Sequence, residues 1–275
     1  MRRITSDTHV AGHFGELLQG RLGPAGPVAL VSLPCPALSV SGTFHSGRTL
    51  NIHGGGQRLV NQTQARALFA RIRRGVRGRI NLRATMPAGG GAGASTAALV
   101  ALARLTGSDI APEDLAKACI AVEGASDPLM FPAPERLLWA SRIGEVMEHL
   151  PPLPAFDVIG GFFGPHRRTD PADTEFPDIA DLVAEWKAAA KAADLSALAH
   201  LSSQSAQRTL AMRHTPDDPI IALATELGAL GIVIAHTGSA RGLIFSPNQV
   251  PQSAKAALRA AGARQIVQFN AGGHV

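Results

Sequence analysis

The segment that most constrains this chain is Pro87-Ala-Gly-Gly-Gly-Ala-Gly-Ala-Ser95. It follows residues 79–84 (RINLRA), whose alternation reads as a strand, and runs into residues 95–105, an apolar stretch that reads as a helix. Glycine at four of the five positions 89–93 lets backbone N–H groups come close to a bound anion. The helix that follows turns the positive end of its dipole to the same place. Ser95 stands where an N-cap is expected. The expectation is a mixed α+β chain built around an anion site.

Three anion sites can be compared with this loop. A P-loop needs Gly-Lys-[Ser/Thr], and no lysine is present here, so that reading is excluded. A loose dinucleotide fingerprint fits as Gly89-x-Gly91-x-x-Ala94, with Asp109 twenty residues after Gly89. Against it, Met86-Pro87 intervenes between strand and glycines, and the loop comes late for a first βαβ unit. The third pattern, Pro-x-x-x-Gly-x-Gly-x-Ser-x-Ala at Pro87, Gly91, Gly93, Ser95 and Ala97, resembles the central phosphate-binding motif of the GHMP kinases (galactokinase, homoserine kinase, mevalonate kinase, phosphomevalonate kinase).

Two further segments carry the same resemblance. Gly12-His-Phe-Gly15-Glu16-Leu-Leu-Gln19-Gly20 looks like that superfamily's first motif, and Ala235-His236-Thr237-Gly238-Ser239-Ala-Arg-Gly242 looks like its third. Within the superfamily the likeness is to the L-threonine kinases of cobalamin and propanediol metabolism. They share the Gly-Glu-Leu-x-Gln-Gly opening, a Leu-Val-Ser-x-Pro strand (here 30–34) and the Ala-His-[Ser/Thr]-Gly motif (here 235–238). Two positions depart from the pattern. Ala94 replaces the first of two adjacent serines, and His13-Phe14 stands where the opening commonly differs.

The resemblance implies a fold and a site. The fold would be α+β in two domains, with residues 1–150 a nucleotide-binding α+β domain and residues 151–275 a ferredoxin-like α+β domain. The triphosphate of ATP would lie on Pro87, Gly89, Gly90, Gly91, Ala92, Gly93, Ala94, Ser95 and Thr96. Mg²⁺ would be held by Ser95 and Glu123. The acceptor would meet Glu16, Gln19, His236, Thr237 and Gly238. Asp127 would take the proton of the acceptor hydroxyl. From the residues alone, Glu123 ends an amphipathic helix (112–123) and Asp127 precedes Pro128, which disfavours helical backbone and puts the aspartate on a loop. Glu135 and Asp157 are fallback acids.

Composition narrows the alternatives. Of 275 residues, 45% are hydrophobic and 17% charged, which excludes a disordered chain or a coiled coil. No run of 18 apolar residues occurs, so no transmembrane helix is expected. The N-terminus turns polar before an apolar stretch forms, so a signal peptide is not expected and the cytoplasm is. Cys35 and Cys119 cannot build a disulfide framework and read as small core residues. A net charge of +5 and pI near 10 favour anionic partners. The basic run Arg71, Arg73, Arg74, Arg77 and Arg79 has no interleaved aromatics and the chain has no tyrosine, so it reads as a solvated surface and not as a nucleic-acid platform.

The remaining signals are weaker. His53-Gly-Gly-Gly56 imitates an esterase oxyanion motif, but no Gly-x-Ser-x-Gly elbow accompanies it. The histidines show no metal-ligand spacing. Residues 166–168 (HRR) read as a basic loop, and Ser202, Ser203, Ser205 and Gln207 as a polar helix face. Residues 28–33 and 37–44 read as two strands joined at Pro34 and Pro36, and residues 127–154 as a proline-rich break between domains. The sequence leaves three classes open: a GHMP-type kinase of L-threonine or another small alcohol such as homoserine, a non-catalytic ATP-binding module, and a nicotinamide-dependent oxidoreductase. A homodimer is compatible with each.

Overall fold

The computed structural model describes residues 5–167, 170, 172–236 and 238–273. Two long strands set the frame. β1 (Thr5–Arg21) and β2 (Val28–Ser46) pair antiparallel from Thr5↔His45 to Arg21↔Val28. β4 (Gly78–Ala84) continues the sheet beyond β2, and β3 (Asn51–His53) closes that edge in parallel. α1 (Gln62–Arg71) begins with a capping box between Asn61 and Gln64. α2 (Ala94–Leu105) buries ten of its twelve residues, because it is apolar on every side and lies against β1 and β2 between α1 and α3 (Pro112–Glu123).

Residues 28–46 form one strand, correcting the expectation of two. The ladder slips instead: Ala11 faces Ser39, and the next residue, Gly12, faces Cys35. Pro36 lies within the skipped stretch, so its missing N–H costs no ladder bond. The stretch 127–154 is likewise more ordered than its prolines suggest. It holds the hairpin β5 (Leu137–Ala140) and β6 (Glu145–His149), with β5 buried along its length against β2. Both strands are too short for alternation to reveal.

The second half follows the order β7 (Phe156–Phe162), α4 (Ala180–Lys191), α5 (Leu195–Met212), α6 (Pro219–Leu227), β8 (Gly231–Ile234), β9 (Ala240–Phe245), α7 (Ala254–Ala260) and β10 (Arg264–Ala271). Its strands lie side by side as β10-β7-β9-β8, all antiparallel. Fourth, first, third, second is the ferredoxin-like order. A second core, with Ile159, Leu210, Ile220, Leu243, Phe245 and Leu258, fills the space under α6 and α7, while Val158, Phe162, Trp186, Leu198, Val233 and Phe269 join the main core shared with the first half. The pairing of β1 with β8 at Glu16↔Ile234 joins the strands of both halves into one ten-stranded sheet. No described helix is long and apolar enough to cross a membrane.

Candidate active site

A cavity of about 380 Å³ opens where the strands of the two halves join. Its floor is the glycine loop. Gly89, Gly91 and Gly93 have φ of 78°, 77° and 70°, while the residues between them stay on the ordinary side. Such alternation turns successive N–H groups to one side, an arrangement that binds anions. The helix begins at Gly93 as N-cap, so Ser95 is its second residue and not the cap. The first-turn N–H groups of Ala94, Ser95 and Thr96 have no intrahelical acceptor and face the same space.

The loop is clamped from both halves. His13 N donates to Ala92 O (3.2 Å), Gly15 N to Gly91 O (3.3 Å), Ala240 N to Gly90 O (2.9 Å) and Arg167 N to Gly89 O (2.9 Å). A Cβ on Gly91 would lie 2.2 Å from the Ala235 Cβ, so only glycine fits where Ala235 and Gly238 press on the glycine loop. Pro87 and Gly90 lie beneath the loop, Gly90 against Phe162, and do not line the cavity. Ala88, Gly89 and residues 91–96 do.

Beside the helix N-terminus the acids converge. Ser95 Oγ donates to Glu123 Oε1, and Gln64 Nε2 donates to the same oxygen at 3.3 Å. Glu123 reaches the cavity because Gly124, in the left-handed region, ends α3 there. Asp127 follows on the loop. Its N–H donates to Thr96 Oγ1 (3.3 Å), and Trp139 Nε1 anchors the preceding residue through Ser126 O (2.6 Å). The hairpin thus holds the loop that carries Asp127.

His13 lies behind Asp127. Side chains three apart on a regular strand face opposite ways. Here the ladder is irregular between His13 and Glu16, with Gly15 at φ 72°, and both side chains come to the same side. His13 Nδ1 lies 3.3 Å from Glu16 Oε1, His13 Nε2 lies 3.3 Å from Asp127 Oδ2, and Ser32 Oγ donates to Glu16 Oε2 (2.9 Å). Burial alone would lower the His13 pKa, but the two carboxylates outweigh it and push it up to about 10. Burial pushes Glu16 up to about 8, which His13 partly offsets. For Asp127, burial is outweighed by His13 and Thr96, and its carboxyl is held below the ordinary value. Of the two acids, Asp127 is thus shifted towards its charged form and Glu16 away from it.

The far end of the cavity is made of side chains from distant segments. Gln19 Nε2 donates to Ile234 O (3.1 Å), while Ser205 Oγ accepts from Gln19 N (3.0 Å). Gln19 Oε1 is buried and has no hydrogen-bond partner among the described residues. His236 stacks on Phe176 at 3.9 Å between ring centres, and Arg213 donates to its Nε2 while also pairing with Asp173. Burial and then Arg213 lower the His236 pKa to about 4, so the ring is neutral. Arg142 and Arg167 also line the cavity.

The structure therefore brings Glu16, Gln19, Ser95, Thr96, Glu123, Asp127, His236 and Gly238 to one cavity. Thr237 lies outside the described residues. Glu135 and Asp157 lie elsewhere; Asp157 accepts from Asn248 N and Asn270 Nδ2. Gln207 is exposed and does not line the cavity. Sequence reasoning gave no role to His13, Ser32, Gln64, Arg142 or Phe176. His13 carried a signal as a departure from the family opening, and Ser32 as the serine of the Leu-Val-Ser-x-Pro strand.

The architecture and the loop define the class of fold: this is the GHMP-kinase fold. The chain superposes on the mevalonate kinase of L. major, solved with R-mevalonate, with TM-score 0.66, 12% identity, and coverage of 98% of this chain and 96% of that one. Against homoserine kinase from Cytophaga hutchinsonii the values are 0.62, 16%, 96% and 94%. The protein designated MDDEF, solved with MVAPP, AMPPCP and magnesium, gives 0.60, 13%, 98% and 98%. No family model matches the sequence, and no curated protein does.

Proposed function

We propose that this chain is a Mg²⁺-dependent kinase that moves the γ-phosphoryl group of ATP to the hydroxyl of L-threonine, giving O-phospho-L-threonine and ADP for the aminopropanol arm of cobalamin synthesis. One observation carries the kinase reading. The anion-binding loop, the Ser95–Glu123 pair and the Asp127 carboxylate converge on a single cavity. Magnesium and AMPPCP in a protein of the same fold support it.

The residues present fit the ligands this reaction needs. The loop offers backbone N–H groups and a helix dipole to phosphate oxygens. Ser95 and Glu123 are oxygen donors of the kind a hard cation takes, and they already touch. Bound there, Mg²⁺ would neutralise charge on the phosphates. Asp127 faces the cavity as a carboxylate and would hold the acceptor hydroxyl in line, taking its proton as the new P–O bond forms. A carboxyl held below its ordinary pKa is a weak base. Its proton transfer is therefore late, and orientation of the hydroxyl is its larger contribution.

The acceptor end supports an amino acid. Gln19 Oε1, a buried acceptor without a partner among the described residues, suits an ammonium group. Arg142 and Arg167 place positive charge on the same cavity for a carboxylate. Neutral His236, with Gly238, forms the wall beside them, and Glu16 lies behind, turned to His13. We read residues 1–150 and 151–275 as two domains. The ferredoxin-like strand order of the second half and the second core under α6 and α7 support that division, while the larger core runs through both halves. The reaction fits the cytoplasm, where ATP is made available.

ADP release from Mg²⁺-ATP tests this with L-threonine, L-serine, L-homoserine, ethanolamine, aminopropanol and mevalonate. Stimulation by L-threonine above the rest is the expected result. Stimulation by another compound keeps the kinase and discards threonine. ATP bound without stimulation by any of the six discards the proposal in favour of a binding module.

A further inference from the structure

The cluster behind Asp127 has a built geometry that phosphate binding does not use. His13 is 3% exposed and Glu16 6%, and nothing about holding a triphosphate calls for an imidazole between two carboxyls. Its ring has a defined orientation. Nδ1 lies 3.1 Å from Gly15 O and 3.3 Å from Glu16 Oε1. A backbone carbonyl only accepts, so Nδ1 carries a proton. Nε2 points the other way, to Asp127 Oδ2. Ser32 from β2 donates to Glu16 from behind and fixes the acid that fixes the ring. Thr96 from α2 touches Asp127 from the helix side. Cys119 from α3 lies near enough to feel Asp127, and burial keeps its thiol protonated. His13 is thus the cation of the group, and a metal shared by the three side chains would have to displace its ring protons.

We propose that His13 is a positioning residue. Its imidazolium, pinned by Gly15 O and Glu16, aims the Asp127 carboxylate into the cavity and holds it charged. Ser32, Glu16, His13 and Asp127 form one chain of polar contacts along the cavity wall, anchored in β2 through Ser32. The arrangement has a mechanical logic. Asp127 sits on a loop, where its side chain could swing, and the strand residue is the rigid one. Charge follows the same logic. A lone carboxylate this close to bound phosphates would be repelled by them and drawn to protonate. An adjacent fixed cation offsets that. The inference rests on the reading of Asp127 as the group that meets the acceptor hydroxyl, and it adds what keeps that group ready.

Nitrogen NMR of protein labelled with ¹⁵N-histidine tests the ring directly, without turnover. Both ring nitrogens of His13 are expected to show imidazolium shifts at pH 8, and Asp127→Asn should lower the pH at which they lose a proton. A neutral His13 ring at pH 7 overturns the proposal. The activity readout uses His13→Gln, which keeps a donor but no charge. Its kcat should fall about 10- to 100-fold, with KM for Mg²⁺-ATP within about twofold of wild type, since a misplaced catalytic group costs turnover and not nucleotide binding. The acid limb of the kcat profile should move to higher pH. A profile unchanged in the folded variant marks a packing role and overturns the proposal. Should no acceptor be phosphorylated, the kinase reading falls and the NMR titration still decides on His13. Should L-threonine be phosphorylated while His13 titrates near its ordinary 6.5, the kinase reading stands and this proposal falls.

Discussion

The two ends of the cavity are made from different materials. The end proposed for phosphate is backbone, contained in residues 88–96 and shaped by glycines at positive φ. The end proposed for the acceptor is side chains, brought from β1, the turn after β5, Arg167, Phe176 and His236. A backbone site is written in contiguous sequence, because the conformation that binds is set by local residues. A side-chain site is written in the contacts between elements, and its parts lie more than two hundred residues apart in the case of Gln19 and His236. The phosphate end can therefore stay constant across chains that share the fold while the acceptor end changes. Relatives in fold as distant as 12–16% identity are solved with R-mevalonate or named for homoserine.

Substitutions at each end should separate the two. The largest effect is expected between them, at the atom that joins phosphate to acceptor. Asp127→Asn should lower kcat about 10²–10⁴-fold, with Mg²⁺-ATP still bound by calorimetry. At the acceptor end, Gln19→Leu should raise KM for L-threonine about 10- to 100-fold, the cost of one buried hydrogen bond to a charged group, and leave KM for ATP unchanged. At the phosphate end the reverse is expected. Gly91→Ala places a Cβ 2.2 Å from the Ala235 Cβ at a positive φ, so ATP affinity should fall and stability drop by about 1–3 kcal/mol in denaturant titration. Gln64→Leu removes the donor to Glu123 and should raise the Mg²⁺ concentration for half-maximal rate about tenfold.

The smallest effect concerns two buried histidines whose charged neighbours act in opposite ways: carboxyls beside His13, and Arg213 beside His236. His236 is held neutral with a pKa near 4, below its unfolded value of 6.5. Unfolding then takes up a proton between those values, so stability is full above pH 6.5 and declines as the pH falls towards 4. His13, raised to about 10, contributes stability below pH 6.5 that is lost as the pH rises towards 10. Tm between pH 4 and 7 should therefore fall less steeply on the acid side in His236→Gln than in wild type. An identical slope would place His236 outside the proton balance of folding.

Much of the fold was legible. α3 spans Pro112–Glu123, with Pro112 in the first turn as the sequence reading has it. α2 begins one residue earlier than expected, because Gly93 in the left-handed region takes the capping position that Ser95 seemed to hold. The β5–β6 hairpin was missed, since strands of four and five residues among prolines carry no period. In the site, local rules mark the loop, as glycines before an apolar helix, while Glu123 and Asp127 entered through the family resemblance; the structure brings all three to one cavity. Gln64 was not found, because it is an ordinary polar residue until a partner from another element arrives.

By itself, then, the sequence determined the strand–glycine loop–helix unit, the buried apolar helix behind it and the mixed α+β class. Those features follow from dihedral preference and hydrophobic period, which act over a few residues. Only the tertiary structure decided that His13 sits between Glu16 and Asp127, that Ser95 meets Glu123, and that Gln19 has a buried oxygen without a partner among the described residues. The irregularity in β1 that turns His13 and Glu16 to one side depends on how that strand pairs with β2 and β8, and pairing is a property of the packed chain. The opposite shifts of Glu16 and Asp127 arise in the same way, from how burial balances against His13, which lies beside both, and against the hydrogen bonds each acid accepts.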